Sequence, residues 1–225
     1  MSNAIELTKN ANKRMQALAK GAILSAGLCL FILVLMHFLK PDYDPTWHFV
    51  SEYAIGDYGW VMQLGFFCWS ASCFFVYTAI RKEIKSASGK LGLFILFIVG
   101  FALIGGGLFI MDPLTTARNE VTGHGNLHGL SGTIGIPGQA IAALLISISL
   151  VRNEKWKPAK KSILWAMVFM WVSLVIMFVT IGVMLGKAGG KFGPDVWVGW
   201  PNRLLILAYC NWLIVVARQC KKIYQ

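Results

Sequence analysis

The sequence predicts an all-α polytopic membrane protein, a six-helix transmembrane bundle with a short interfacial helix on its outer side and both termini cytoplasmic. Three observations predict it. Of 225 residues, 56% are hydrophobic and only 14% charged, where a soluble domain of this size carries about a quarter charged residues. The apolar residues gather into six runs, at 21–39, 59–80, 91–111, 130–151, 163–185 and 200–217, each close to the roughly 20 residues that a helix needs to cross a bilayer. The charges alternate between the ends of these runs. Sixteen of the 21 Lys and Arg lie in the N-terminal tail, the connections 81–90 and 152–162, and the C-terminal tail, which the positive-inside rule assigns to the cytoplasm. The formal charge of +11 is therefore a membrane signature. It is spread between apolar runs and not gathered on a polar face, which excludes a nucleic-acid surface.

The chain divides into a basic N-terminal segment (1–20), the six-span domain (21–217) and a basic tail (218–225). The first span lies behind a polar leader and is too long for the apolar core of a cleaved signal peptide, so it reads as retained. Cys29, Cys68, Cys73 and Cys210 fall inside spans and Cys220 in the cytoplasmic tail, which leaves no disulfide framework in the outer loops. The third span carries Gly105, Gly106 and Gly107, and the fourth carries Gly129, Gly132, Gly135, Pro137 and Gly138. Such small residues serve close helix packing or border a cavity, and the sequence leaves both readings open.

The outer connections hold the chemistry. In the first, Asp44 before Pro45 matches an N-cap followed by a first-turn proline, and Gly56 matches a helix C-terminus, which predicts a helix over 45–55. On it Asp44, His48 and Glu52 are four residues apart, with Ser51 on the same face. In the second, Asp112-Pro113 closes the third span. Leu114 to Thr122 reads as another short helical segment stopped by Gly123, and His124 and His128 share a face if the fourth helix includes both. Counting about 20 residues from each basic anchor places Asp112, His128 and the Ser51/Glu52 face near the outer boundary, with Arg203 slightly inside it.

Arg203 sits in the first turn of the last span, where the helix dipole disfavours a cation. An anion should face it: Asp112, Glu52, Asp195 or the phosphate of a lipid. The three outer histidines, His48, His124 and His128, form a set that zinc would use, with a carboxylate to handle a metal-bound water. Interfacial histidines bonded to acids are the other reading. Haem is disfavoured, because its axial ligands come from opposing elements near mid-membrane and His37 is the only other histidine.

The segments YDPTWHFVSEYAIGDYGW (43–60), MDP with HGNLHG (111–129) and GWPNRLLIL (199–207) resemble a bacterial and archaeal six-span membrane family known only as domain of unknown function 998. The resemblance covers essentially the whole chain and implies six spans, an outward-facing cluster and residence in a prokaryotic plasma membrane; it implies no activity. The histidine, aspartate and serine set is also similar in kind to that of alkaline-ceramidase-like membrane hydrolases. Those have seven spans and another order of motifs, so that likeness is confined to the site.

The expectation is one outer polar pocket built from Asp44, His48, Ser51, Glu52, Asp112, His124, His128 and Arg203, ringed by Trp47, Trp60, Trp197 and Trp200. It would bind a lipid head group or small amphiphile. Membrane lipids are the expected partners, with self-association as a homo-oligomer open and nucleic acid excluded. A zinc-dependent lipid hydrolase is the alternative, with His48, His124 and His128 on the metal, Asp112 or Glu52 as general base beside Ser51, and Arg203 on the head group. A transporter is third, since no charge lies near mid-membrane to carry a coupled ion.

Overall fold

The computed structural model describes residues 2–225, with side chains at Glu6 and from Lys9 onward. It is all-helical over those residues. Six α-helices, α1 (Ser2–Leu39), α2 (Gly59–Ile80), α3 (Ala87–Leu108), α4 (Gly123–Val151), α5 (Lys160–Lys187) and α6 (Gly199–Ile223), are joined by connections that include two short 3-10 helices, Val50–Ala54 and Glu154–Ala159. All six α-helices are long and apolar enough to span a membrane.

Short connections make sequential helices antiparallel neighbours, and the contacts follow a ring from α1 to α6 that closes between α6 and α1, with α2 also touching α6 across the middle. Both termini lie at one end, where the Gln16 side-chain amide donates to the Tyr224 carbonyl. The opposite, distal end carries the 40–58 and 109–122 connections. Packing around the ring is uneven. It is tightest between α3 and α4, where Gly92 lies against Ala142, Leu145 and Ile146 and Gly89 against Ser149. It is looser between α4 and α5, and α4 scarcely meets α6.

What ties α4 inward is polar and lies deep in the bundle. Trp69 Nε1 donates to Gln139 Oε1 at 3.0 Å, Gln139 Nε2 reaches the Tyr209 carbonyl at 3.4 Å, and Trp212 Nε1 donates to Ser147 Oγ at 3.0 Å. The Tyr209 hydroxyl donates to the Ile136 carbonyl, one residue before the proline that interrupts the α4 ladder. Buried side-chain bonds of this kind replace the hydrophobic drive that helices lack in lipid.

The helices run past several of the span limits read from the sequence, α1 from Ser2 and α6 to Ile223, and the distal connections differ from that reading in three places. The 45–55 segment is not one helix. Asp44 Oδ1 accepts from Thr46 N at 2.8 Å, an Asx-turn that competes with helix capping for the same residue type. Phe49 is then extended, and only Val50–Ala54 coils, as a 3-10 helix. Residues 114–122 form two turns, closed by Thr116 N to Pro113 O and Glu120 N to Ala117 O, and no helix. α4 begins at Gly123, early enough to carry both His124 and His128.

Candidate functional site

The distal end contains two polar assemblies where the sequence suggested one. The first is centred on Arg203, which is only 6% exposed. Its Nε donates to His37 Nε2 at 2.9 Å, Nη1 to the carbonyls of His48 (2.8 Å), Gly199 (3.0 Å) and Pro45 (3.3 Å), and Nη2 to the Tyr53 hydroxyl at 2.8 Å. His37 takes the matching tautomer, its Nδ1 donating to the Leu33 carbonyl at 2.8 Å. The anion expected beside Arg203 is absent from this shell: among the described residues no carboxylate lies within ion-pair distance of it. Backbone carbonyls take that place because the 43–58 connection folds back over the start of α6. The approach requires Gly199, whose N–H donates to the Thr46 carbonyl at 2.8 Å and where any Cβ would strike the carbonyls of Pro45 and His48.

Glu52 fastens the same connection to its neighbour. Buried at 1% exposure, it accepts from Phe49 N (2.9 Å) and His48 Nδ1 (3.0 Å) on Oε2 and from Leu114 N (3.1 Å) on Oε1. Lys40 closes the far side of the loop, donating to the carbonyls of Tyr53 and Ile55 and lying over the Tyr43 ring, 4.4 Å from its centroid. Burial pushes the Lys40 ammonium down, with Asp57 opposing, and burial followed by the Glu52 charge pushes the Tyr43 hydroxyl up. Gly56 supplies the positive φ, +67°, that turns the chain toward α2. Asp44 is exposed and does not join the cluster; the Thr46 backbone N–H holds its carboxyl below the usual range.

The second assembly is a cavity. Its inner compartment, about 60 Å³, is walled by Phe66 and Trp69 of α2, Leu103 and Gly106 of α3, and Leu205 of α6. The outer compartment, about 390 Å³, lies between α4 and α5 against Phe49, Met111, Gly129, Thr133, Pro137, Met177, Phe178 and Ile181. Ser51, His128, Gly132, Ile136 and Asn202 border both, so the two adjoin. The rim of the outer compartment is exposed at Gly129, Thr133 and Phe178, where lipid would lie, so the cavity opens sideways through the loose α4–α5 seam.

His128 is placed by a simple requirement. The last carbonyls of α3 have no partners within the helix, and His128 Nδ1 donates to the Phe109 carbonyl at 2.8 Å while Gln63 Nε2 donates to the Gly107 carbonyl at 2.8 Å. Asp112 holds the start of α4, its Oδ2 accepting from Thr122 N (2.8 Å) and Oγ1 (3.2 Å), and Thr122 Oγ1 caps Gly125 N at 3.0 Å. His124 is exposed one turn beyond the cavity, edge-on to Phe109 with ring centroids 5.7 Å apart. The structure thus brings Ser51 and His128 to the cavity, His48 and Glu52 to each other, and Arg203 to the loop carbonyls, while Asp44, Asp112 and His124 stand apart. As a zinc set His48, His124 and His128 do not converge: among the described residues no three His, Cys, Asp or Glu side chains are grouped to hold a metal ion.

Three contributors were passed over in the sequence reading. Asn202, beside Arg203 in the segment quoted above, accepts from Val50 N at 3.0 Å and borders the cavity. Tyr53 and His37 complete the shell of Arg203. Only Asn202 and Tyr53 left a signal, as polar residues within the same short segments. A larger groove of about 600 Å³ runs along α6 between α1 and α5, reaching His37, Trp200 and Arg203 at its distal end. Its walls are otherwise Leu, Val, Ile and Pro, and His37 and Arg203 are hydrogen-bonded within the protein.

Comparison with known proteins adds the family and nothing on activity. No curated protein and no solved structure matches the chain. The family model described as protein of unknown function DUF998 matches residues 23–219, the six spans from α1 to α6, and the chain belongs to that family.

Proposed function

We propose that this membrane protein binds a lipid or small amphiphile drawn sideways from the bilayer into the distal cavity between α4 and α5, holding its polar end beside Ser51, His128 and Asn202. The observation that carries the reading is the cavity: about 390 Å³, within the roughly 300–1,000 Å³ of typical ligand pockets, mostly apolar, open toward lipid and polar at its inner corner. Depth supports it. Trp60, Trp197 and Trp200 are more than half exposed around the same end, as tryptophans at a membrane interface are. The basic residues at the opposite end support an orientation with the cavity in the extracytoplasmic leaflet. Binding is favoured over bond cleavage because the acids nearest the cavity, Glu52 and Asp112, are already engaged by N–H donors of the two distal connections.

Gly132 provides the test. It borders both compartments, and a Cβ built on it meets nothing within 4 Å, so a larger side chain fills the cavity without displacing protein. Native mass spectrometry of protein extracted in mild detergent should find co-purified lipid on the wild type and on Gly132→Ala, and its loss on Gly132→Leu. Equal lipid retention by Gly132→Leu would contradict the proposal.

A further inference from the structure

We infer that the polar end received by this cavity is an uncharged acyl carbonyl, so that the ligand is a neutral acyl-ester lipid, of which a diacylglycerol is the simplest member, and not a phospholipid head group or a free fatty acid. The inference rests on the proposed binding role and specifies its ligand. Charge decides the first part. No Asp, Glu, Lys or Arg borders either compartment among the described residues. The charges nearby are committed elsewhere, Arg203 to the loop carbonyls, Glu52 to three N–H groups and Asp112 to Thr122. A phosphate or carboxylate entering here would lose its water with no opposite charge to replace it.

Hydrogen bonding decides the second part. Asn202 is 8% exposed, and because its Oδ1 accepts from Val50 N its Nδ2 is the free end, which finds only the Met177 thioether sulfur at 3.9 Å. Such a sulfur is a weak acceptor. The Ser51 hydroxyl has no hydrogen-bond partner among the described residues and borders the same space. The other hydroxyls at the wall are spent on their own helix, Ser131 Oγ on the Leu127 carbonyl and Thr133 Oγ1 on the Gly129 carbonyl, both at 2.9 Å. Two donors without an oxygen acceptor among the described residues, in a pocket bordered by no Asp, Glu, Lys or Arg, call for one neutral oxygen with lone pairs. An ester carbonyl offers that oxygen while its chain occupies the apolar outer compartment.

The experiment uses full-length protein in nanodiscs and three probes that share one diazirine-bearing, clickable acyl chain: a diacylglycerol, a phosphatidylglycerol and a free fatty acid. Cavity-specific labelling is the fluorescence on wild type that is lost on Gly132→Leu. The expected result is specific labelling by the diacylglycerol and not by the two anionic probes, reduced about fivefold by Ser51→Ala, the effect of one hydrogen bond. The Ser51 hydroxyl bonds to nothing among the described residues, so its replacement should leave the fold intact, which gel filtration checks. Specific labelling by phosphatidylglycerol or fatty acid at the level of diacylglycerol would overturn the inference and leave the binding role standing. Unchanged diacylglycerol labelling of Ser51→Ala would overturn the donor assignment. Absence of cavity-specific labelling by all three probes would overturn the binding role and the inference with it.

Discussion

Arg203 shows how a single residue can be legible as important and illegible in its role. Its position at the start of α6 marks it as a costly charge, and cost alone suggested an anion. Backbone carbonyls leave no trace in a sequence, so the shell of Pro45, His48 and Gly199 oxygens could not be read in advance. That shell makes a firm expectation for substitution. Arg203→Met strands three carbonyls, the Tyr53 hydroxyl and His37 Nε2, and the loss of such charge-assisted bonds should cost about 3 kcal/mol. For a chain of this size that is a fall in Tm of roughly 6–12 °C. Arg203→Lys should recover little of it, since an ammonium on a flexible stem cannot reproduce the guanidinium fork. A thermal unfolding series in detergent checks both; a methionine variant as stable as wild type would show that the shell does not hold the loop. Asn202 was missed for the opposite reason. A lone amide in an apolar span most often serves helix packing, and only the position of Val50 N reveals which end of the amide is free.

At the scale of elements, the spans were legible and the loops were not. The second span was read at 59–80, and α2 runs Gly59–Ile80, because a charge-free apolar run between Asp57 and Arg81 has one stable solution in lipid. The distal connection resisted because Asp44-Pro45 suits an Asx-turn as well as a helix N-cap, and local sequence does not choose between them. The glycines of α3 and α4 resolve into both uses that the sequence left open. Gly92 is packing: a Cβ there would come within 2.9 Å of Leu145 Cβ and 3.1 Å of the Ala142 carbonyl. Gly129 and Gly132 face open space and border the cavity. Gly92→Ala should therefore cost about 1–3 kcal/mol through overpacking, while Gly129→Ala should be neutral or slightly stabilising, as Gly→Ala in a helix usually is. Equal thermal stability of the two variants would refute the division. The histidine pair is a related case. Spacing of four correctly puts His124 and His128 on one side of α4, yet α3 ends between them. Only His128 therefore reaches α3 carbonyls, and His124 is left above the rim.

For the whole molecule, the ring of six helices has one weak seam. Five neighbours pack through glycines, alanines and buried polar bonds, but between α4 and α5 the distal half is held apart, with the Trp69–Gln139–Tyr209 layer as the floor beneath. The 43–58 connection, riveted by Arg203 and Glu52, forms the roof and presents Ser51 to the space below. Architecture, charge and interfacial tryptophans are what support the proposed reading of this space as a lipid-facing chamber at head-group depth. The rival location is the larger groove along α6 between α1 and α5, whose His37 and Arg203 are already hydrogen-bonded within the protein. Locating a bound lipid separates them most directly. A photoactivatable diacylglycerol crosslinked in nanodiscs, digested and sequenced by tandem mass spectrometry, should be found on α4 near Gly129, Thr133 and Pro137 and on α5 near Met177, Phe178 and Ile181. Adducts confined to Leu30, Val34, Leu204 and Leu207, or spread evenly over the lipid-facing surface, would contradict the account.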